Sequence, residues 1–261
     1  MPDDFFNNNY LNAPEEDVNA KVERLTNEGY SFSISQCYSD SFRIFSKYSG
    51  LFVGFTLLFI VAIFVPTLFA KIQVLPSIIS SFINPALLAG LALTVRKIMK
   101  DEGVIFNDFF SGFAFLKMLF IRSIVTTIVI SGISALIFYY IFGDFSIMNK
   151  NPQDIVDLLL QKKDEVNFAL VFFLFLPIIY LGVAWYFADF FIVFHNKSFW
   201  EAMEMSRRLI TKKWFLIFLF VLSVVVVNAL GLLVFLVGFL FTFPLTMIAT
   251  VVLFNNIVEN Q

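Results

Sequence analysis

Five long runs of uncharged residues alternate with short polar segments along the chain. The runs cover residues 48–70, 72–95, 123–143, 166–188 and 214–258. A helix that crosses the hydrocarbon core of a bilayer needs roughly 20 apolar residues, so each of the first four runs predicts one membrane span. The last run would extend about 67 Å as a single helix, more than twice the thickness of the core, and therefore predicts two spans.

The pattern thus predicts an all-α, polytopic membrane protein with six transmembrane helices. Asn228, Gly231 and Gly238 offer places for the chain to turn within the last run. The spans are expected near 50–70, 76–95, 118–142, 167–190, 213–231 and 240–257.

Composition agrees with this class. Hydrophobic residues make up 59% of the 261 residues, charged residues only 15%, and the mean hydropathy is +0.83. The hydrophobic and charged fractions both lie outside the usual range of soluble domains. A net charge of -2 also argues against nucleic acid as a partner, because binding to phosphates needs a clustered basic surface.

The Lys and Arg residues are distributed unequally between the two sides of the predicted spans. Fourteen lie before the first span or in the loops 96–122 and 195–213, and four lie on the opposite side. Cytoplasmic loops carry the excess of Lys and Arg in multi-pass proteins. We therefore expect both termini and the two basic loops in the cytoplasm.

Residues 1–30 form an acidic tail ahead of the six-span membrane domain of residues 31–261. Seven acids stand there against Lys21 and Arg24. A short helix ending at Gly29 is expected within the tail, with a narrow apolar stripe. That stripe has two interpretations: it docks on the protein's own basic loops, or it binds a partner.

An internal repeat is suggested by self-similarity of the chain. A shift of 165 residues superimposes Ser33, Ser41, Arg43 and Lys47 on Ser198, Ser206, Arg208 and Lys212, and a weaker shift of 70 brings Ser41 and Lys47 onto Ser111 and Lys117. The predicted unit is an interfacial helix followed by a two-span hairpin. Three parallel units are expected, at about 33–95, 103–194 and 197–258.

Each even span carries a proline, namely Pro85, Pro177 and Pro244. These are predicted helix-breaking positions, which can open the backbone around a shared cavity. The neighbouring small residues, such as Gly90 and Gly182, permit close helix packing instead. Both interpretations stay open at the level of sequence.

Ionisable residues inside the predicted spans are few. Asp189 in span four and Arg122 in span three are expected at similar depth near the cytoplasmic side, where they would form a structural ion pair. His195 is the only histidine and Cys37 the only cysteine, so no zinc ligand set can be assembled from them. We predict no catalytic residues, no metal, no cofactor and no enzymatic activity.

The segment before span five predicts a basic interfacial helix. Trp200 and Trp214 flank Arg207, Lys212 and Lys213. Tryptophan and basic side chains collect at the headgroup level of membranes. These five residues are therefore candidates for contact with lipid headgroups, although the distribution of positive charge alone also explains the basic ones.

The motif Phe199-x-Glu201-Ala202-x3-Ser206-Arg207 resembles a family of bacterial multi-pass proteins found joined to some glycerophosphoryl diester phosphodiesterases. The similar entry to span one (Ile34-x6-Ser41-x5-Lys47) and the Gly238-x5-Pro244 approach to span six support the resemblance, which covers most of residues 31–261. It implies a helical fold and a location in the bacterial inner membrane. It implies no catalytic residues, because the soluble phosphodiesterase domain is missing.

Two functional hypotheses follow. The first is a non-enzymatic accessory or scaffold subunit that contacts membrane lipids and an integral membrane partner. The alternative is a transporter, channel or lipid-handling protein for an apolar or amphiphilic cargo, which would need no buried charges. Oligomeric state is open under both hypotheses.

Overall fold

The computed structural model describes residues 17–69, 75–149, 151–162 and 167–260, and every regular element in these ranges is helical. The α-helices are α1 (Val18–Glu28), α2 (Ile34–Lys47), α3 (Ser49–Phe64), α4 (Leu75–Met99), α5 (Leu116–Phe142), α6 (Pro152–Lys162), α7 (Phe168–Ala184), α8 (Ala188–His195), α9 (Phe199–Lys212), α10 (Trp214–Leu233) and α11 (Phe235–Val258). Short 3-10 segments lie at Val65–Phe69, Phe106–Phe115 and Ser146–Asn149. The predicted all-helical class is confirmed.

Five helical stretches of the described chain are long and apolar enough to cross a membrane. They are Ile78–Met99, Phe106–Phe142, Ala169–His195, Trp214–Leu233 and Val237–Val258. A sixth is added if α2 and α3, which meet at an angle of 95°, count as one broken span. On its own α3 has 16 residues, or about 24 Å of helix, which is shorter than the roughly 30 Å core.

The last uncharged run folds into two helices, as its length requires, and the turn lies at Val234. Gly231 and Gly238 flank this turn and let its two arms approach closely. A Cβ built on Gly238 would lie 2.3 Å from the Gly231 carbonyl oxygen. These glycines therefore serve the contact between α10 and α11, whereas Asn228 lies within α10.

The three prolines were predicted to break their helices, but they do not. α4, α7 and α11 continue through Pro85, Pro177 and Pro244, respectively. A proline removes one backbone hydrogen bond, and membrane helices tolerate this loss where neighbouring groups compensate. The interruption in span four falls further along, at residues 185–187 between α7 and α8.

The buried core sits at the end of the bundle where α4, α8 and α11 finish. The apolar windows of α4 and α11 are 44% and 50% buried, whereas that of the stretch containing α5 is 6% buried. Leu91, Phe191 and Phe254 are completely buried at this end. At the opposite end, large side chains such as Leu136 and Leu233 are exposed.

A close backbone contact fixes the 3-10 segment Phe106–Phe115 against α4. A Cβ on Gly90 would lie 1.8 Å from the Phe109 carbonyl oxygen, and a Cβ on Gly112 would lie 2.1 Å from the Ala86 carbonyl oxygen. Only glycine permits this approach at either position. Gly182, matched to Gly90 by the sequence repeat, has open space at its Cβ.

Candidate functional site

Four segments are tied together by charged groups where the core-forming helices end. Arg96, in the last turn of α4, donates from Nη2 to Glu259 Oε1 at 2.8 Å and from Nη1 to the Phe194 carbonyl at 3.0 Å. His195 Nε2 lies 3.4 Å from the same carboxylate oxygen, and Lys21 of α1 donates to the Glu259 carbonyl at 3.1 Å. The carbonyls at the ends of α8 and α11 are thereby partly satisfied, and positive side chains lie at helix C-termini, where they are favourable.

The acidic tail contributes α1 to this end of the bundle. Val22 and Leu25 are buried, so the predicted stripe docks on the protein itself. Tyr30 donates from its hydroxyl to the Leu209 carbonyl at 3.0 Å, a group in the last turn of α9. Burial raises the pKa of the Tyr30 phenol well above its usual value. Lys212 donates to the Asn27 carbonyl at 3.0 Å, which joins the tail to α9 a second time.

The gap between α7 and α8 is bridged by one hydroxyl from α9. Ser206 Oγ accepts a hydrogen bond from the Phe187 N–H at 3.1 Å and donates to the Ala184 carbonyl at 2.7 Å. All three residues are completely buried. Backbone groups freed inside an apolar bundle must find a partner, and Ser206 supplies it for both sides of the gap.

Arg122 and Asp189 are in contact. Arg122 donates from Nε to Asp189 Oδ1 at 2.8 Å and from Nη2 to Oδ2, a two-pronged arrangement that joins α5 to the first turn of α8. A carboxylate there is also favoured by the helix dipole. The pair is mostly shielded, with side chains 18% and 26% exposed. This geometry is suited to a structural ion pair that holds α5 and α8 in a fixed relative position.

Of the five residues expected at lipid headgroups, three contact other residues of the protein, and Trp200 and Lys213 are exposed or partly exposed. Arg207 forms two hydrogen bonds with Glu204, at 2.8 and 2.7 Å, and Lys212 is bound to the tail. Trp214 stacks on Tyr180 and Phe218. Trp200 is exposed beside α1, and Lys213 is partly exposed at the start of α10.

The three prolines also lack a common environment. Pro244 is buried, Pro85 is partly buried and Pro177 is exposed. In the described ranges, no group of three or more His, Cys, Asp or Glu side chains is arranged to hold a metal ion.

The outer face of α5 is uncovered, and among the five apolar stretches of the described residues the one that contains α5 has the least buried window, at 6%. Ile124, Ile128, Gly132, Leu136 and Tyr140 recur every fourth residue, and all five are exposed. Thr127 and Ser131 are exposed beside them, and a Cβ on Gly132 meets no atom within 4 Å. Small and weakly polar residues are typical of faces where membrane helices pack together.

Comparisons with protein-family models, curated proteins and solved structures found no match. The resemblance to the phosphodiesterase-linked membrane family therefore stays a prediction.

Sequence reasoning missed two features of these sites. Ser206 entered the repeat alignment, but nothing in its own segment indicated a bond to the α7–α8 gap. Arg96 and Glu259 lie 163 residues apart, at the ends of two different apolar runs. The available signal for the Arg96–Glu259 pair was that each of the two residues lies just after an even-numbered predicted span.

Proposed function

We propose that this protein is a non-enzymatic accessory or scaffold subunit of a larger complex in the bacterial inner membrane, with both termini in the cytoplasm. One observation carries the proposal: α5 presents an uncovered face whose centre, at Thr127, Ser131 and Gly132, is small and weakly polar. A purely lipid-facing helix gains nothing from such residues, whereas a partner helix can approach closely there. The partner is an integral membrane protein.

The internal repeat is part of this proposal. α2 and α9 both have 14 residues, and each follows a serine cap, Ser33 or Ser198, that accepts from the backbone N–H three residues later. Each is followed after one residue by an apolar helix. These features are spaced by the same 165 residues as the sequence match. They support two of the three units, in which α2 and α9 lie at the membrane interface and α3 and α10 each begin a two-span hairpin; α3 is then the first of six spans.

Support for the remaining unit, residues 103–194, is weaker. The chain ahead of α5 is the 3-10 segment Phe106–Phe115, which continues directly into α5, where an interfacial α-helix was expected. The Gly90–Gly112 contact holds this 3-10 segment directly against α4.

The arrangement of the core favours a scaffold over a transporter. Leu91, Val95, Val252 and Phe254 are completely or almost completely buried where α4 and α11 meet. A pathway between the helices would have to pass through this packed end. The unequal exposure of the three prolines gives no support to a shared, proline-lined cavity.

Native mass spectrometry of the tagged protein, extracted in a mild amphiphile, tests the proposal. We expect a stoichiometric integral membrane partner that is lost in Gly132→Leu. Gly50→Leu is the matched control, because Gly50 on α3 is exposed and its Cβ also meets nothing. Retention of a single chain with lipid in the wild type, or equal effects of the two variants, would contradict the proposal.

A further inference from the structure

A groove of about 560 Å³ runs between α1 and α9 on the surface of the described bundle. Its floor is apolar, because Val22 and Met205 lie there and are almost completely buried. Its rim carries Trp200, which is 65% exposed. An indole left this open beside an apolar floor provides a surface on which another side chain can stack.

Carboxylates surround this apolar floor. Glu23, Glu201 and Glu204 line the groove, and Arg208 is the one cation among the lining residues that the structure describes. Glu204 is bound by Arg207 and Arg208, which lower its pKa to about 2, and the Ser198 hydroxyl lowers the pKa of Glu201. Both carboxylates are therefore ionised at neutral pH. Among the described residues Glu23 makes no ion pair, so its charge is available to a ligand.

The charge of the groove discriminates among occupants. Among the described lining residues, three carboxylates against Arg208 leave an excess of negative charge. Anionic lipid headgroups are repelled by such a surface. The chain's own residues 1–16 are unsuitable as well, since they contain Asp3, Asp4, Glu15 and Glu16 and no Lys or Arg.

A cationic side chain finds complementary groups here. Lys and Arg are attracted to the face of an indole, and carboxylates accept charge-assisted hydrogen bonds from them. We propose that the α1–α9 groove binds a basic peptide segment of a partner protein. An apolar side chain of that segment occupies the floor at Val22 and Met205, and a Lys or Arg lies over Trp200 within reach of Glu23. This site is separate from the α5 face and goes beyond the proposed function.

The test uses the full-length protein in nanodiscs of phosphatidylcholine, which carry no net charge. The probe is a fluorescent peptide of Lys, Arg and Leu, compared by anisotropy with a version in which Glu replaces the basic residues. Glu23→Lys should weaken binding of the basic peptide by about tenfold or more, because it places like charges together. Trp200→Ala should also weaken it, and this exposed side chain can be removed without opening the core.

Glu28→Lys is the matched control, because Glu28 is exposed on the same helix but does not line the groove. It changes the net charge equally and should alter the affinity less than about twofold. Equal weakening by the two reversals, or no preference for the basic peptide over the acidic one, would overturn the proposal. Gly132→Leu should leave peptide binding unchanged, so failure of the α5 proposal can be distinguished from failure of this one.

Discussion

Ser206→Ala removes the hydroxyl that bridges the gap between α7 and α8. The Phe187 N–H and the Ala184 carbonyl then lose the partner found at 3.1 and 2.7 Å, and both residues are completely buried. The neighbouring N–H groups do not replace the Ser206 hydroxyl as a donor to the Ala184 carbonyl. The Ala188 N–H donates to the Trp185 carbonyl, and the Tyr186 N–H donates to the Val183 carbonyl. An unsatisfied buried polar group costs about 1–3 kcal/mol. For the two groups together we expect a loss of about 2–6 kcal/mol in the free energy of unfolding.

Ser41→Ala provides the control at the position matched by the repeat. Ser41 is equally buried, but its hydroxyl donates only to the Cys37 carbonyl in the preceding turn of its own helix. Its removal leaves the helical backbone bonds intact and should cost less than about 1 kcal/mol. Reversible unfolding in mixed micelles, followed by circular dichroism, measures both variants. Losses equal to within about 0.5 kcal/mol would refute the bridging role of Ser206.

Three further predictions concern the helix contacts and the ion pairs. Gly90→Ala should destabilise the fold by at least about 2 kcal/mol in the same unfolding assay, because its Cβ would overlap the backbone of the 3-10 segment, whereas Gly182→Ala should be neutral or slightly stabilising. Asp189→Asn should lower stability in detergent, and much of the loss should disappear when Arg122→Gln is added, as a double-mutant cycle would show. Arg207 holds the Glu204 pKa at about 2, below its usual 4.5, so the stabilisation from Glu204 is complete above pH 4.5 and is lost as the pH falls toward 2. Thermal unfolding of wild type and Glu204→Gln should therefore converge over that range.

Each of these predictions has a definite contrary result. Equal effects of Gly90→Ala and Gly182→Ala would remove the argument for close backbone contact. Strictly additive losses at Arg122 and Asp189 would show that the two side chains are not coupled. A constant difference between wild type and Glu204→Gln from pH 5 to pH 2.5 would exclude the proposed linkage.

The membrane class was predictable because it depends on composition and run length. Uncharged runs of more than 20 residues leave few alternatives to spanning helices, and the described residues contain five or six helices that are long and apolar enough to cross a membrane. Arg122 and Asp189 were expected to meet for a similar reason, since few charged positions exist at that depth. Both inferences depend on distance along a helix. In a helix that spans the bilayer, this distance gives the depth of each residue in the membrane.

The position of the break in span four was not predictable from its own segment. Pro177 is the conventional signal, yet α7 continues through it and ends at Ala184. The chain opens where Ser206, from another helix, supplies hydrogen bonds to both sides. A break of this kind depends on a tertiary contact, and local propensity contains no record of the partner.

The close contact between α4 and the following segment was hidden for a related reason. Gly90 and Gly182 have matching places in the repeat, but only Gly90 has a second glycine, Gly112, opposite it. The Gly50-x3-Gly54 spacing in α3 is typical of close contacts between membrane helices, yet a Cβ on Gly50 meets nothing. Spacing along one helix identifies small residues without identifying the surface that faces them.

Site-specific photo-crosslinking in intact cells tests whether the outer face of α5 contacts a partner protein. A photoreactive residue at Ile128 would lie on the uncovered face of α5, and one at Val225 would lie on α10 with similar exposure. We expect a discrete protein adduct from position 128 and only lipid adducts from position 225. Lipid adducts alone from both positions would contradict the assignment of this protein as a subunit that docks through α5.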